Sequence, residues 1–149
     1  VQDIVWIIVR RHNRLLLVKR VVKDHNQTLW TFPGGTVNNF DQNHAIEIHR
    51  MLENKTGLDV SKFRLVSNIK SQNTIIHTLY CDEYKGGLSV CNNNIVGLGW
   101  FSISEIYSLG NELCKHVSNN MAYLSYLIQH YDNHPDEWKE KWVKCDENE

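Results

Sequence analysis

Leu29-Trp-Thr-Phe-Pro-Gly-Gly-Thr36, with the segment that runs from it to Gly57-Leu58, decides how the rest of the chain is read. Leu29 and Thr31 alternate with Trp30 and Phe32, the pattern of a half-buried strand. Pro33 cannot donate to a ladder and Gly34-Gly35 opens backbone angles closed to other residues, so the strand is expected to stop there. A polar, Asn-rich loop follows from Thr36 to Asn43. Ala45, Ile48, Leu52 and Leu58 then recur at helical spacing, which predicts a helix over Ala45 to Thr56. Gly57 stands where a left-handed C-terminal cap is wanted.

On either side the chain reads as strands and helices in alternation. Asp3 to Arg10 and Leu15 to Arg20 are apolar runs joined by Arg11-His12-Asn13-Arg14, a hairpin signal. Their bulk on both faces predicts central strands covered by helices. Phe63 to Lys70, Thr74 to Cys81 and Val96 to Phe101 read as further strands, and the Gly- and Asn-rich stretch 83–94 as an exposed loop. Ser102 with Glu105 three places on forms a capping box. Beyond Gly110 the chain reads as C-terminal helices over about 111–143: Val117, Met121, Leu124 and Leu127-Ile128 make one apolar stripe. A last short helix from Pro135 carries Trp138 and Trp142 at i, i+4.

The totals bound the function. At 149 residues, 42% hydrophobic and 22% charged, the chain is expected to be one domain over 1–149 with a proper core. A net charge of −1 gives no electrostatic footprint for nucleic acid, and no stretch reaches membrane-spanning length. The four cysteines, Cys81, Cys91, Cys114 and Cys145, lack C-x-x-C spacing, so reduced thiols in a cytoplasmic protein are the expectation. No signal or transit peptide is visible, although the chain starts at Val1 and a leader could have been trimmed. A homodimer is compatible with the sequence, which does not decide it.

At the opening stretch the sequence resembles the Nudix, or MutT-like, hydrolase family. That family's box runs Gly, five residues, Glu, seven residues, then Arg-Glu-U-x-Glu-Glu-x-Gly-U, with U a bulky aliphatic. Gly35, Arg50, Leu52, Gly57 and Leu58 match its glycine, arginine, aliphatic, second glycine and last aliphatic. Trp30 to Gly35 looks like the usual approach to the box, and Gly99 to Ile106 like the late strand-to-helix step. The resemblance spans roughly residues 3 to 110. It implies an α/β (α+β) sandwich in which a mixed central sheet lies between helices.

What the resemblance implies about activity is different, because the box is degenerate. The family's helix glutamates hold divalent cations that polarise a pyrophosphate and activate water. Counted back from Gly57, those positions carry Met51, Asn54 and Lys55. The upstream acidic position falls on Gln42 or Asp41, and the stretch 91–96 has no carboxylate. In this register Glu47 lies on the metal stripe, while Glu53 lies roughly 200° round the helix from position 51. A rival register counts forward from Gly35, sets Asp41 on the first glutamate, Glu53 on one of the later pair and His49 on the arginine. It needs an insertion at the glycine cap instead of in a tolerant polar loop, so the first register is preferred.

Three functions are open at this point. The first is a Nudix-fold protein that binds a nucleoside-diphosphate-type or other nucleotide-like small molecule, with metal-dependent hydrolysis lost or impaired. Its candidate ligand residues are Lys19, Arg20, Gly34, Gly35, Arg50 and Lys55. Lys55 would put an ammonium where the family holds a cation, serving a phosphate as a point charge; a surface lysine favoured by the helix dipole is the plainer account. The second is an active pyrophosphohydrolase with rearranged carboxylates: Asp41, Glu47 and Glu53 as ligands of Mg2+ or Mn2+, with Glu47 and Glu53 catalytic. The third is a regulatory module docking through Trp138 and Trp142. No cofactor is firmly implied. Trp30 and Phe32 could stack on a base but read more simply as core, and His44, His49 and His77 are weak candidates for a general base among eight histidines.

Overall fold

The computed structural model describes residues 2–22, 27–38, 40, 45–89, 94–133 and 143–144. The first hairpin is formed by β1 (Gln2–Arg11) and β2 (Arg14–Val22), with His12 at φ 55° in the turn. These strands stay paired only at Arg10–Leu15 and Arg11–Arg14, and then fork apart. Along β2 the place of β1 is taken by β3 (Gln27–Thr31), antiparallel in register from Val18–Thr31 to Val22–Gln27. Along β1 the place of β2 is taken by β4 (Gly34–Val37), which pairs Trp6 with Gly34 and Asp3 with Val37. The chain crosses the fork at Phe32-Pro33, where the Pro33 carbonyl accepts from Ile7 N at 2.9 Å.

The strand read from Leu29 stops before Pro33 as expected, but this crossing corrects the expectation that a polar loop begins at Thr36, since Thr36 and Val37 lie in β4. Both glycines begin β4. Gly34 is required by contact, because a Cβ there would lie 2.0 Å from the Val5 carbonyl oxygen.

The helix α1 (Ala45–Thr56) has the predicted limits. Next come β5 (Asp59–Val60), β6 (Lys62–Ser71), β7 (Thr74–Cys81), β8 (Tyr84–Lys85) and β9 (Ile95–Ser102). The hairpin β6–β7 joins the sheet through β7, which runs parallel to β1, and β9 is antiparallel to β2. Within the stretch read as an exposed loop, β8 pairs with β5 in a separate small ladder. Ser102 caps α2 (Ile103–Ser108): Glu105 N donates to its Oγ at 3.2 Å and its own N–H donates to Glu105 Oε1 at 3.0 Å, the predicted reciprocal box.

After a 3-10 turn, Gly110–Glu112, come α3 (Lys115–Ser118) and α4 (Met121–Asn133). The C-terminal region is less purely helical than expected. Leu113 bridges Trp30, Cys114 N donates to Trp30 O, and β10 (Val143–Lys144) adds to the sheet beside β6. The helix expected at Pro135, with Trp138 and Trp142, lies outside the described residues, as do Cys91 and Cys145; neither Cys81 nor Cys114 is in a disulfide.

Among the described residues the result is a mixed α+β sandwich, an eight-stranded sheet with helices on both faces. Alternate residues of β1 and β2 feed two cores. Val5, Ile7, Val9 and Leu16 pack with Ile48 and Leu52 of α1, while Ile8, Leu15 and Leu17 pack with Ile106, Val117, Met121 and Leu124. Among the described residues no helix is long and apolar enough to cross a membrane.

Candidate functional site

The fork between β1 and β2 is covered on one face by the last turn of α1. That turn is locked in register by local bonds. Thr56 Oγ1 donates to Leu52 O at 2.6 Å and accepts from Leu58 N at 3.2 Å, and Gly57 closes the helix at φ +82° with its N–H on Glu53 O at 2.8 Å. With Gly57 as the cap, Lys55 is directed at β4. Its ammonium donates to the Gly34 carbonyl, and a Cβ on Gly35 would lie 2.9 Å from Lys55 Nζ and 3.4 Å from Met51 Sδ. Desolvation, and then the nearby Arg20, hold the Lys55 pKa below its usual value.

Beside this contact is a cavity of about 140 Å3 lined by Arg20, Thr31, Phe32, Gly34, Lys55 and Asn94, with Val18 and Ile95 behind. Thr31 is 2% exposed, and its Oγ1 is buried without a hydrogen-bond partner. Two cationic side chains and one unsatisfied hydroxyl in so small a space are arranged for an anionic oxygen. Lys55 also borders a shallower depression of about 560 Å3 along α1, with Glu47, Arg50, Met51 and Asn54. A larger hollow, about 730 Å3, lies by the β1–β2 turn among Arg10, Asp82, Glu83 and Asp132. Three of its charged groups are already in ion pairs, Arg10 with Asp132 at 2.6 Å and Glu83 with Lys62 at 3.1 Å, so it is the weaker candidate.

The structure sorts the residues singled out in the sequence. Arg20, Gly34, Gly35 and Lys55 come together at the fork, and Arg50 and Glu47 flank them on the exposed surface of α1. Lys19 does not join them. Neighbours on a strand point to opposite faces, and Lys19 lies over Trp30 at 5.8 Å from the ring centre, on the α2–α4 side.

Glu53 is also elsewhere. It contacts His49 Nε2 at 3.4 Å, on the side of α1 away from Lys55, so Glu47 and Glu53 do not form one carboxylate site. Asp41 and His44 lie outside the described residues. Phe32 is core, 2% exposed, and Trp30 stacks edge-on against Phe101 at 4.8 Å, so neither offers a free platform for a base. His77 is structural: it bridges Asn68 Oδ1 at 2.6 Å and Asp3 Oδ1 at 2.8 Å and stacks on Phe40 at 3.9 Å. That bond and the Phe40 N–H hold the Asp3 carboxyl below its usual pKa against the opposing effect of burial. Sequence reading missed Thr31 and Asn94; the one available signal was a Thr on the face of β3 opposite Trp30.

Among the described residues the donor set at the fork, with Glu47 as the one carboxylate of the adjoining depression, does not suit Mg2+ or Mn2+. Those ions want several hard oxygens, whereas here Lys55 places a positive charge on the Gly34 carbonyl, with the Met51 thioether and the Asn54 amide beside it.

Comparison with known proteins adds the lineage. A family model described as the NUDIX domain matches residues 2–124. No curated protein sequence matches. Among solved structures, a MutT NUDIX hydrolase from Burkholderia pseudomallei is 18% identical with TM-score 0.63, covering 81% of this chain and 95% of that one. A NUDIX hydrolase from Nitrosomonas europaea is 16% identical with TM-score 0.63, covering 75% and 79%. An ADP-ribose pyrophosphatase from Streptococcus suis is 23% identical with TM-score 0.56, covering 69% and 75%. At these identities the likeness is one of fold.

Proposed function

The chain belongs to the NUDIX family, and from that premise we propose that it binds a nucleoside-diphosphate-type ligand at a metal-independent phosphate site, with metal-dependent hydrolysis lost or impaired. The observation that carries this reading is the Lys55 ammonium seated on the Gly34 carbonyl. Nudix hydrolases generally use Mg2+ or Mn2+. A lysine supplies the positive charge such an ion would bring to a phosphate, but it cannot lower the pKa of a bound water as a metal does.

The chemistry follows from the cavity lining. A phosphate oxygen between Lys55 and Arg20 takes charge-assisted bonds from both, and Thr31 Oγ1 gains the partner it lacks. Each bond to a charged group contributes about 1.5–3 kcal/mol, enough for affinity without an ion. Among the described residues Glu47 is the one carboxylate lining the depression beside Lys55, and one exposed carboxylate is a poor substitute for a cluster.

The test pairs binding with turnover. Calorimetry with ADP and ADP-ribose in the presence of EDTA is expected to show binding that added magnesium does not strengthen. A panel of nucleoside triphosphates, ADP-ribose, dinucleoside polyphosphates and sugar nucleotides is expected to show no hydrolysis above background. Magnesium-dependent turnover abolished by Glu47→Gln would overturn this reading and establish an active hydrolase with rearranged ligands.

A further inference from the structure

On the side of α1 away from Lys55, three potential ligands converge from two elements. His49 and Glu53 are one turn apart on α1, and Asp59 begins β5. Glu53 Oε2 lies 3.4 Å and Asp59 Oδ1 3.6 Å from His49 Nε2, and the three ligand atoms all fall within 4.8 Å of one another. We propose that His49, Glu53 and Asp59 bind one first-row divalent transition ion, Zn2+ being the natural probe, at a site separate from the phosphate cavity.

Two independent features carry this. The first is the orientation of the imidazole. His49 is 8% exposed, and its Nδ1 lies 2.8 Å from Val60 O. A carbonyl only accepts, so Nδ1 carries the proton in that bond. In the neutral ring Nε2 is therefore the lone-pair nitrogen, and it faces both carboxylates. Fixing the tautomer through a backbone carbonyl is how proteins prepare a histidine to ligate.

The second feature is spacing. Bonds of about 2.0–2.1 Å at tetrahedral angles put ligand atoms about 3.3–3.4 Å apart. The two contacts at 3.4 and 3.6 Å match that edge with little adjustment. Both carboxylates are 56% exposed, which leaves the outer position open to solvent and provides a path for the ion. One imidazole with two carboxylates suits Zn2+, and its nitrogen ligand disfavours Mg2+. The bound ion would tie the last turn of α1 to β5.

The ordinary alternative, an imidazolium bridging two carboxylates, predicts the opposite result in each arm of the test. Zn2+ binding is measured by equilibrium dialysis on cysteine-alkylated protein, and Co2+ binding by its visible absorption. Wild type is expected to bind one more equivalent of Zn2+ than the double variant Glu53→Gln/Asp59→Asn, to be raised in Tm by Zn2+ but not by Mg2+, and to give a nitrogen- and oxygen-ligated Co2+ spectrum. The double variant alters exposed residues only. His49→Asn, which keeps a donor toward Val60 O and removes the second ring nitrogen, is expected to lose at least tenfold in affinity. Equal stoichiometry and equal Co2+ spectra in wild type and double variant, or a Tm rise with Mg2+ equal to that with Zn2+, would overturn the proposal. Neither result bears on nucleotide binding, which is measured in EDTA.

Discussion

The ammonium of Lys55, at the end of α1, donates to the carbonyl of Gly34, at the start of β4, and so links two residues 21 apart in sequence that both line the cavity. The bond fixes a positive charge where the fork between β1 and β2 opens. Lys55→Met keeps the length of the side chain and removes the charge. It is expected to weaken ADP binding about ten- to a hundredfold, the worth of one charge-assisted hydrogen bond, while lowering stability by only about 1 kcal/mol. Calorimetry and a thermal melt on the same variant separate the two effects. Unchanged affinity would remove Lys55 from the ligand site.

Binding should also depend on pH. Burial, and then Arg20, depress the Lys55 pKa below the usual 10.5. Between the lowered value and 10.5 the unfolded chain holds more protons at this residue than the folded chain, so the Lys55 contribution to stability rises with pH across that window. Anion affinity runs the other way: it is full below the lowered pKa and is lost as pH rises through it. Titrating ADP binding from about pH 7 to about pH 10 is expected to show a decline that Lys55→Arg removes, since a guanidinium stays charged throughout. A pH-independent wild type would contradict this.

The two glycines at the fork should respond differently to alanine. A Cβ on Gly34 meets the Val5 carbonyl oxygen at 2.0 Å, a backbone atom that can move only with β1. A Cβ on Gly35 meets the far ends of Lys55 and Met51, which can swing aside. Gly34→Ala is therefore expected to fold poorly or not at all. Gly35→Ala is expected to melt near wild type and to bind ADP more weakly, because the ammonium is displaced. Soluble expression, melting and calorimetry on the pair check both halves.

Much of this was legible in the sequence because it rests on local chemistry. The limits of α1 follow from its apolar spacing and the Gly57 cap, and the Ser102–Glu105 box follows from two residues three apart. The buried runs of β1 and β2 announce central strands. What stayed hidden depends on partners distant in sequence. Gly34-Gly35 looks like a strand breaker until β1 is seen to pass so close that only glycine fits. Lys19 and Arg20 are adjacent letters, and only the pleat decides that Arg20 alone faces the cavity. Thr31 gains significance from the absence of a hydrogen-bond partner, and Glu53 from Asp59 on the next element; periodicity encodes neither.

Packing of α1 provides the stability test. Leu52 is 2% exposed within the core that joins α1 to β1 and β2. Leu52→Ala deletes buried methyl groups where neighbours can only partly collapse, and is expected to cost about 2–5 kcal/mol. Chemical denaturation measures it. A loss below about 1 kcal/mol would mean that α1 does not pack against the sheet through this residue.

The final prediction asks whether the missing ion can be restored. Met51 and Lys55 both approach Gly35, and Asn54 lines the same depression. Replacing all three by glutamate, as Met51→Glu, Asn54→Glu and Lys55→Glu, removes the resident ammonium and supplies hard oxygen ligands along one stripe of α1. Like charges so close repel in the free state and favour a divalent ion that neutralises them. The triple variant is expected to melt lower than wild type without metal and to gain stability from millimolar Mg2+ or Mn2+, about 2.7 kcal/mol at a hundredfold excess over Kd. Wild type should show no such gain from Mg2+. If Mg2+ stabilises wild type as strongly as the variant, a hard-metal site already exists beside Lys55, and the ammonium is not what occupies the place of the ion.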